Sequence, residues 1–138
     1  MSNVLVGGLL VVHGFITTMI GFGTASNPSA PPMALPGWFA WWPGPFGRSW
    51  LFETMHLGNG FMVLGGFLWL AAGLALIAGG IGWLGVPVLA DLKYPLLVGG
   101  ASLGLVALAL YFHPLYVAAV LINVAVIALL WGRLAIAS

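Results

Sequence analysis

An uncharged segment at residues 94–132 reads YPLLVGGASLGLVALALYFHPLYVAAVLINVAVIALLWG. It is about 40 residues long, twice the ~20 apolar residues that a membrane-spanning helix needs. Its sharpest break is at Tyr111-Phe-His-Pro114, because a proline cannot continue a helix but suits the first turn of a new one. The segment therefore predicts two transmembrane helices, at residues 94–112 and 114–134.

Two further apolar runs precede this segment. They predict helices at residues 4–23 and 52–79, separated by a long loop at residues 24–51 that is rich in proline and tryptophan. Tryptophan favours the headgroup level of a bilayer, so we expect the loop to lie at the membrane interface. A lid over a pocket and a docking segment for a partner are the alternatives. The whole chain, residues 1–138, is then an all-α polytopic membrane protein: a single domain with four transmembrane helices in an antiparallel bundle.

The composition excludes several classes of protein. Hydrophobic residues make up 62% of the chain and charged residues 4%, whereas soluble domains carry about 25% charge. A net charge of +1 gives no basic surface for nucleic acid. With no cysteine and only two carboxylates, the chain has no ligands for thiolate metal chemistry or a carboxylate-bridged di-iron site. We expect an integral protein of the plasma or inner membrane of a prokaryote.

Three cations predict the orientation. Four spans place Lys93 and Arg133 on the same side as both termini, and Arg48 on the other side. The positive-inside rule then predicts that the N and C termini are cytoplasmic. The first apolar run has no basic residues before it and is too long for a signal core, so we predict that it is a mature helix.

Polar side chains inside the predicted spans are candidates for function, because they are costly in a bilayer. His13, Asn59, Ser102 and Asn123 each belong to a different predicted helix and fall at similar depths, and Thr17 lies one turn from His13. One interpretation is an interhelical hydrogen-bond layer that sets the helix register. The alternatives are a site where His13 binds a ligand or relays a proton, and a contact of His13 with a partner subunit.

A second polar group is Glu53-Thr-Met-His56, whose spacing places the carboxylate and the imidazole on one face of the predicted helix. The pair could share a metal with His113 as a third ligand, but Glu53 could equally pair with Arg48. The predicted depths of the three histidines disfavour bis-histidine haem. We predict no catalytic residue and no metal site. The candidate contacts for a quinone, lipid or pigment are His13, Asn123, Glu53 and His56.

Small residues recur in the predicted helices, as in Gly100-Ala-Ser-Leu-Gly104, and let helix backbones approach closely. We expect close packing within the bundle. Dimerisation or docking to a larger complex is the alternative.

Several segments together resemble the broad group of small four-helix membrane proteins of the DoxX type. The segments that carry the resemblance are GLLVVHGFI at residues 8–16, Glu53, GGFLWLAAGLAL at 65–76, ASLGL at 101–105 and YFHPLYVAAVLINV at 111–124. Some members of the group resemble a subunit of a thiosulfate:quinone oxidoreductase, and others accompany redox proteins. This chain lacks the basic residue that such proteins often carry in their first helix. The resemblance implies the four-helix fold and a link to membrane redox chemistry.

The functional prediction is a small accessory or scaffold subunit of a larger membrane complex, without catalytic activity of its own. The first alternative is a quinone- or lipid-binding membrane redox partner of the DoxX or DoxD type. The second is a small oligomeric transporter or channel, although few polar groups are available to line a path. The expected partners are membrane lipids and a larger membrane protein complex or a homo-oligomer, with no nucleic acid.

Overall fold

The computed structural model describes residues 3–137, and side chains as far as residue 134. Within these residues the chain is helical and has no strand. Its six α-helices are α1 (Asn3–Ser26), α2 (Trp50–Thr54), α3 (Asn59–Trp83), α4 (Pro87–Ala90), α5 (Lys93–Leu110) and α6 (Val117–Ala137). Short 3₁₀ turns lie at Gly37–Phe39 and Pro114–Tyr116. Four helical stretches, α1, α3, α5 and Pro114–Leu134, are long and apolar enough to cross a membrane.

The prediction of one helix over residues 52–79 is wrong at its N-terminal end. The structure has two helices there, α2 and α3, with a non-helical segment between them. The N–H of His56 donates to the carbonyl oxygen of Glu53, and the N–H of Leu57 donates to that of Phe52. These two bonds form a Schellman motif, which ends a helix with a residue in the left-handed region. His56 occupies that position with φ of 52°. The helix therefore restarts at Asn59, after Gly58.

Glycines bring α1 and α3 into direct backbone contact. They recur every seven residues, close to two helical turns, so each set keeps to one face. A methyl group on Gly14 would lie 2.8 Å from the carbonyl oxygen of Gly73. Lipid tails are as apolar as the surface of a membrane helix, so burial of apolar side chains gives little driving force for helix association. The van der Waals contacts of closely packed backbones favour association instead. The glycines in contact are Gly7, Gly14 and Gly21 on α1, and Gly66, Gly73 and Gly80 on α3.

A second small-residue face of α3 packs against α5. Gly65, Ala72 and Gly79 are again seven residues apart. A methyl group on Gly79 would lie 2.7 Å from the side chain of Leu97, and Gly65 contacts the Tyr111 side chain at the end of α5. The helix α3 is therefore the central element, with α1 on one side and α5 on the other.

The packed interior has two apolar halves. One contains Leu10, Leu76 and Leu97 and lies toward the end where α1 begins and α3 ends, which we call the termini end. The other contains Trp69, Leu108 and Tyr111 and lies toward the opposite end, which we call the loop end. The histidine of α1 and the asparagine of α6 lie between these halves along their helices.

The segment between α1 and α2 is anchored to the loop end by side-chain bonds. Arg48 forms an ion pair with Glu53, and its guanidinium also donates to the carbonyl oxygens of Pro28 and Ala30. Ser49 accepts the Phe52 N–H as the N-cap of α2, and its hydroxyl donates to the carbonyl oxygen of Leu110, 2.7 Å away. These bonds hold the segment against the end of α5.

Candidate functional site

The seam between α1 and α6 carries the one polar side-chain pair that joins two long helices in the described chain. His13 Nε2 lies 3.2 Å from Asn123 Oδ1, and both side chains are buried, at 7% and 2% exposure. With Oδ1 as the acceptor, the imidazole carries its proton on Nε2. Gly104 of α5 makes room for the asparagine, because a methyl group there would lie 2.9 Å from Asn123 Nδ2.

The predicted polar layer is smaller than expected. Asn59 is the exposed first residue of α3 and contributes nothing at mid-depth. The hydroxyl of Ser102 donates to the Val98 carbonyl oxygen of its own helix, and that of Thr17 donates to the His13 carbonyl oxygen. The predicted depths were too coarse, because they ignored the break before Asn59 and the ability of helical Ser and Thr to bond their own backbone.

The predicted pairing of Glu53 with His56 on one helical face is wrong. The helix ends at Thr54, and the left-handed backbone at His56 takes its exposed side chain out of the helical register. Glu53 pairs with Arg48, which was the alternative. The four predicted ligand contacts therefore do not form one pocket: His13 and Asn123 meet at mid-depth, and Glu53 and His56 stand apart at the loop end. Within residues 3–137 there is no group of three or more His, Asp or Glu that could hold a metal.

His113, which the sequence places between the last two predicted helices, is buried in the structure. It is 1% exposed, and its Nδ1 accepts the Leu115 N–H at 3.2 Å, which caps the Pro114–Tyr116 turn. Aromatic rings of the long loop surround it, with the Phe46 centroid 5.2 Å and the Phe39 centroid 5.7 Å away. Burial lowers the pKa of His113 below its ordinary value. The lowered pKa favours the neutral ring, which is the form whose Nδ1 can accept this hydrogen bond. Its place directly before Pro114 was a signal of a capping role.

The seam is open to either side of the His13–Asn123 pair. The loop-end groove, of about 620 Å³, lies between α1 and the long loop, and its lining includes Phe15, Met19 and Phe46. The termini-end groove, of about 450 Å³, lies between α1 and α6 and reaches Arg133. Glu53 lines a different groove, beside Trp42 and Phe112. The seam therefore has two apolar grooves, the loop-end groove and the termini-end groove, with the buried His13–Asn123 hydrogen bond between them.

Comparisons with protein-family models, with curated proteins and with solved structures found no match to this chain.

Proposed function

We propose that the chain is a small accessory or scaffold subunit that packs within a larger membrane complex, without a reaction centre of its own. The observation that carries the proposal is that the histidine, asparagine, serine and threonine side chains at mid-depth of its spans are engaged in structural bonds. His13 is bonded to Asn123, and Ser102, Thr17 and Thr18 are bonded to their own helices. Backbone contacts at glycines fill the helix interfaces. The surfaces left for a partner chain are the outer apolar faces of the helices.

This proposal includes the topology. The four long helices form an antiparallel bundle, the Trp- and Pro-rich loop lies at the outer interface, and both termini face the cytoplasm of a prokaryote. Two cations at the termini end, Lys93 and Arg133, against one at the loop end, Arg48, support this orientation. Two tryptophans of the loop, Trp38 and Trp41, are 75% and 67% exposed, as suits an interfacial position.

The orientation is tested with single cysteines, because the native chain has none. Trp38→Cys at the loop end and Val88→Cys in the exposed α4 at the termini end leave the three cations in place, and both are labelled in intact cells with a membrane-impermeant maleimide. We expect labelling of Trp38→Cys alone before lysis, and of both after lysis. The reverse pattern would contradict the orientation.

The subunit role is tested by isolating the tagged chain from its native membrane in mild detergent and weighing the intact assembly by mass spectrometry. We expect partner chains in fixed stoichiometry, retained when Glu53→Gln removes the loop-end carboxylate charge. A monodisperse chain that carries no other protein would contradict the proposal.

A second candidate is a quinone- or lipid-binding redox partner of the DoxX or DoxD type. The loop-end groove favours it, because its wall combines aromatic and methionine side chains under a loop. His13, Asn123, Glu53 and His56 are absent from its lining, so any quinone there would be held by apolar contacts and by the polar side chains of the lining, which are Thr24, Asn27, Arg48 and Tyr116. Gly23→Leu would fill this groove from an open position, and Gly8→Leu is the control outside it. Loss of co-purified quinone in the first variant alone would support this candidate, and its retention in both would exclude it.

A further inference from the structure

The termini-end groove has the features of a lipid site. We propose that it binds one acyl chain of an anionic phospholipid, and that Arg133 binds the phosphate of the headgroup. This site is independent of the proposed subunit role, because it is built from this chain alone.

The wall of the groove suits an acyl chain in composition and length. Side chains of α1 and α6 line it, namely Val6, Leu9, Leu10, Ile122, Val126 and Leu129. From Ile122 to Arg133 the groove follows α6 for eleven residue-to-residue steps, or ~16 Å at ~1.5 Å per step. Half of a ~30 Å hydrocarbon core is ~15 Å. The groove therefore extends about the depth of one leaflet, from the His13–Asn123 pair to the interface.

The mouth of the groove is rich in hydrogen-bond donors. Arg133 is exposed and has no carboxylate partner among the described residues. Trp83 and Tyr94 also line the groove, with their rings edge to face at 6.3 Å. The Tyr94 hydroxyl and the Arg133 guanidinium are the donors of this mouth that can bond an ester carbonyl or phosphate oxygen of a lipid.

Charge complementarity separates this groove from the one at the loop end. Lys93 lies next to the groove, with its ammonium 5.1 Å from the centre of the Tyr94 ring. With Arg133 it outweighs Asp91, the one acidic residue near this end, so the mouth is positive. At the loop end, Arg48 is neutralised by Glu53. Basic clusters beside clefts between transmembrane helices are typical of sites for anionic headgroups.

The test is competition between two lipids with identical acyl chains, phosphatidylglycerol and phosphatidylcholine, on the purified chain, with retained lipid counted by native mass spectrometry. We expect one retained lipid, with phosphatidylglycerol preferred. Arg133→Gln should reduce the preference by about fivefold, as expected for one interfacial cation. Arg133→Lys should keep most of it. Equal retention of the two lipids by the native chain would overturn the proposal.

Two matched variants on α6 test the place of binding. Ala125 lines the groove and Ala128 is exposed outside it, one turn further along the helix. Ala125→Phe should abolish retention of both lipids, and Ala128→Phe should leave retention unchanged. Equal effects of the two variants would overturn the site. So would a lipid-free dimer that Ala125→Phe dissociates, because a second copy of the chain would then be the occupant. Unchanged helical circular dichroism confirms that each variant is folded.

Discussion

Replacement of Gly14 by alanine tests whether glycine contacts between α1 and α3 hold the fold together. A methyl group at this position would lie 2.8 Å from the Gly73 carbonyl oxygen and 2.8 Å from the Ile77 amide nitrogen. Both are backbone atoms, so neither can rotate away. Ordinary contact begins at 3.4 Å, so the helices must separate by about half an ångström.

The expected cost follows from that separation. A gap of about 0.5–1 Å forfeits roughly a quarter to a half of the attraction between neighbouring atoms. Overpacking in well-packed interiors costs ~1–3 kcal/mol, and alanine regains up to ~1 kcal/mol of helix propensity. We therefore expect Gly14→Ala to lower the free energy of unfolding by ~1–2 kcal/mol.

Gly8 provides the control, because it lies on the same helix and a methyl group there would meet nothing within 4 Å. Gly8→Ala should leave the free energy of unfolding unchanged or raise it by up to ~1 kcal/mol. Unfolding is measured in mixed micelles by titration with sodium dodecyl sulfate, followed by far-ultraviolet circular dichroism. If the two variants unfold at the same detergent fraction, close glycine packing does not stabilise this interface and the reasoning fails.

Three further predictions concern the polar groups. A double-mutant cycle with His13→Ala and Asn123→Ala, read by the same unfolding titration, should give a coupling of ~0.6 kcal/mol, as is typical of hydrogen bonds between transmembrane helices; zero coupling would show that the bond is not energetically significant. His56→Gly should raise the free energy of unfolding by ~1 kcal/mol, because glycine adopts the positive φ of 52° without steric cost, and an unchanged value would mean that the motif is not strained. His113→Asn should flatten the pH dependence of stability. Burial lowers the pKa of His113, so the unfolded chain takes up a proton first and stability falls as pH drops below about 6.5. Asparagine still caps the turn but does not titrate, so melting curves at pH 8 and pH 5 should differ less in the variant, and an equal difference would rule out this histidine as the cause.

The glycine pattern is present in the sequence, but it is recognised only when glycines are compared at a spacing of seven residues. Small-residue pairs four apart, such as Gly100 and Gly104, suggest close packing without naming a partner helix. The spacing of seven in Gly7, Gly14 and Gly21 would have indicated a single face of α1.

The polar groups show where inference from the sequence fails. Depth along a helix predicts which side chains lie at one level, and His13 and Asn123 do meet. Depth does not predict rotation about the helix axis, so Ser102 was placed in the same layer although it bonds to its own backbone. The break was missed because His56, which is not a glycine, takes the left-handed position, and the signal of Gly58-Asn-Gly60 directly after it was overlooked.

Hydropathy alone was enough to predict four long apolar helices, because the ~20-residue requirement of a bilayer is local to each segment. Only the tertiary structure brings together His13 and Asn123, which are 110 residues apart, encloses His113 in the rings of the loop, and opens a groove toward Arg133. The physical reason is that lipid and protein interior are equally apolar, so the hydrophobic pattern of a membrane helix does not mark its buried face. That face is set by where backbones can approach most closely, a property of pairs of helices.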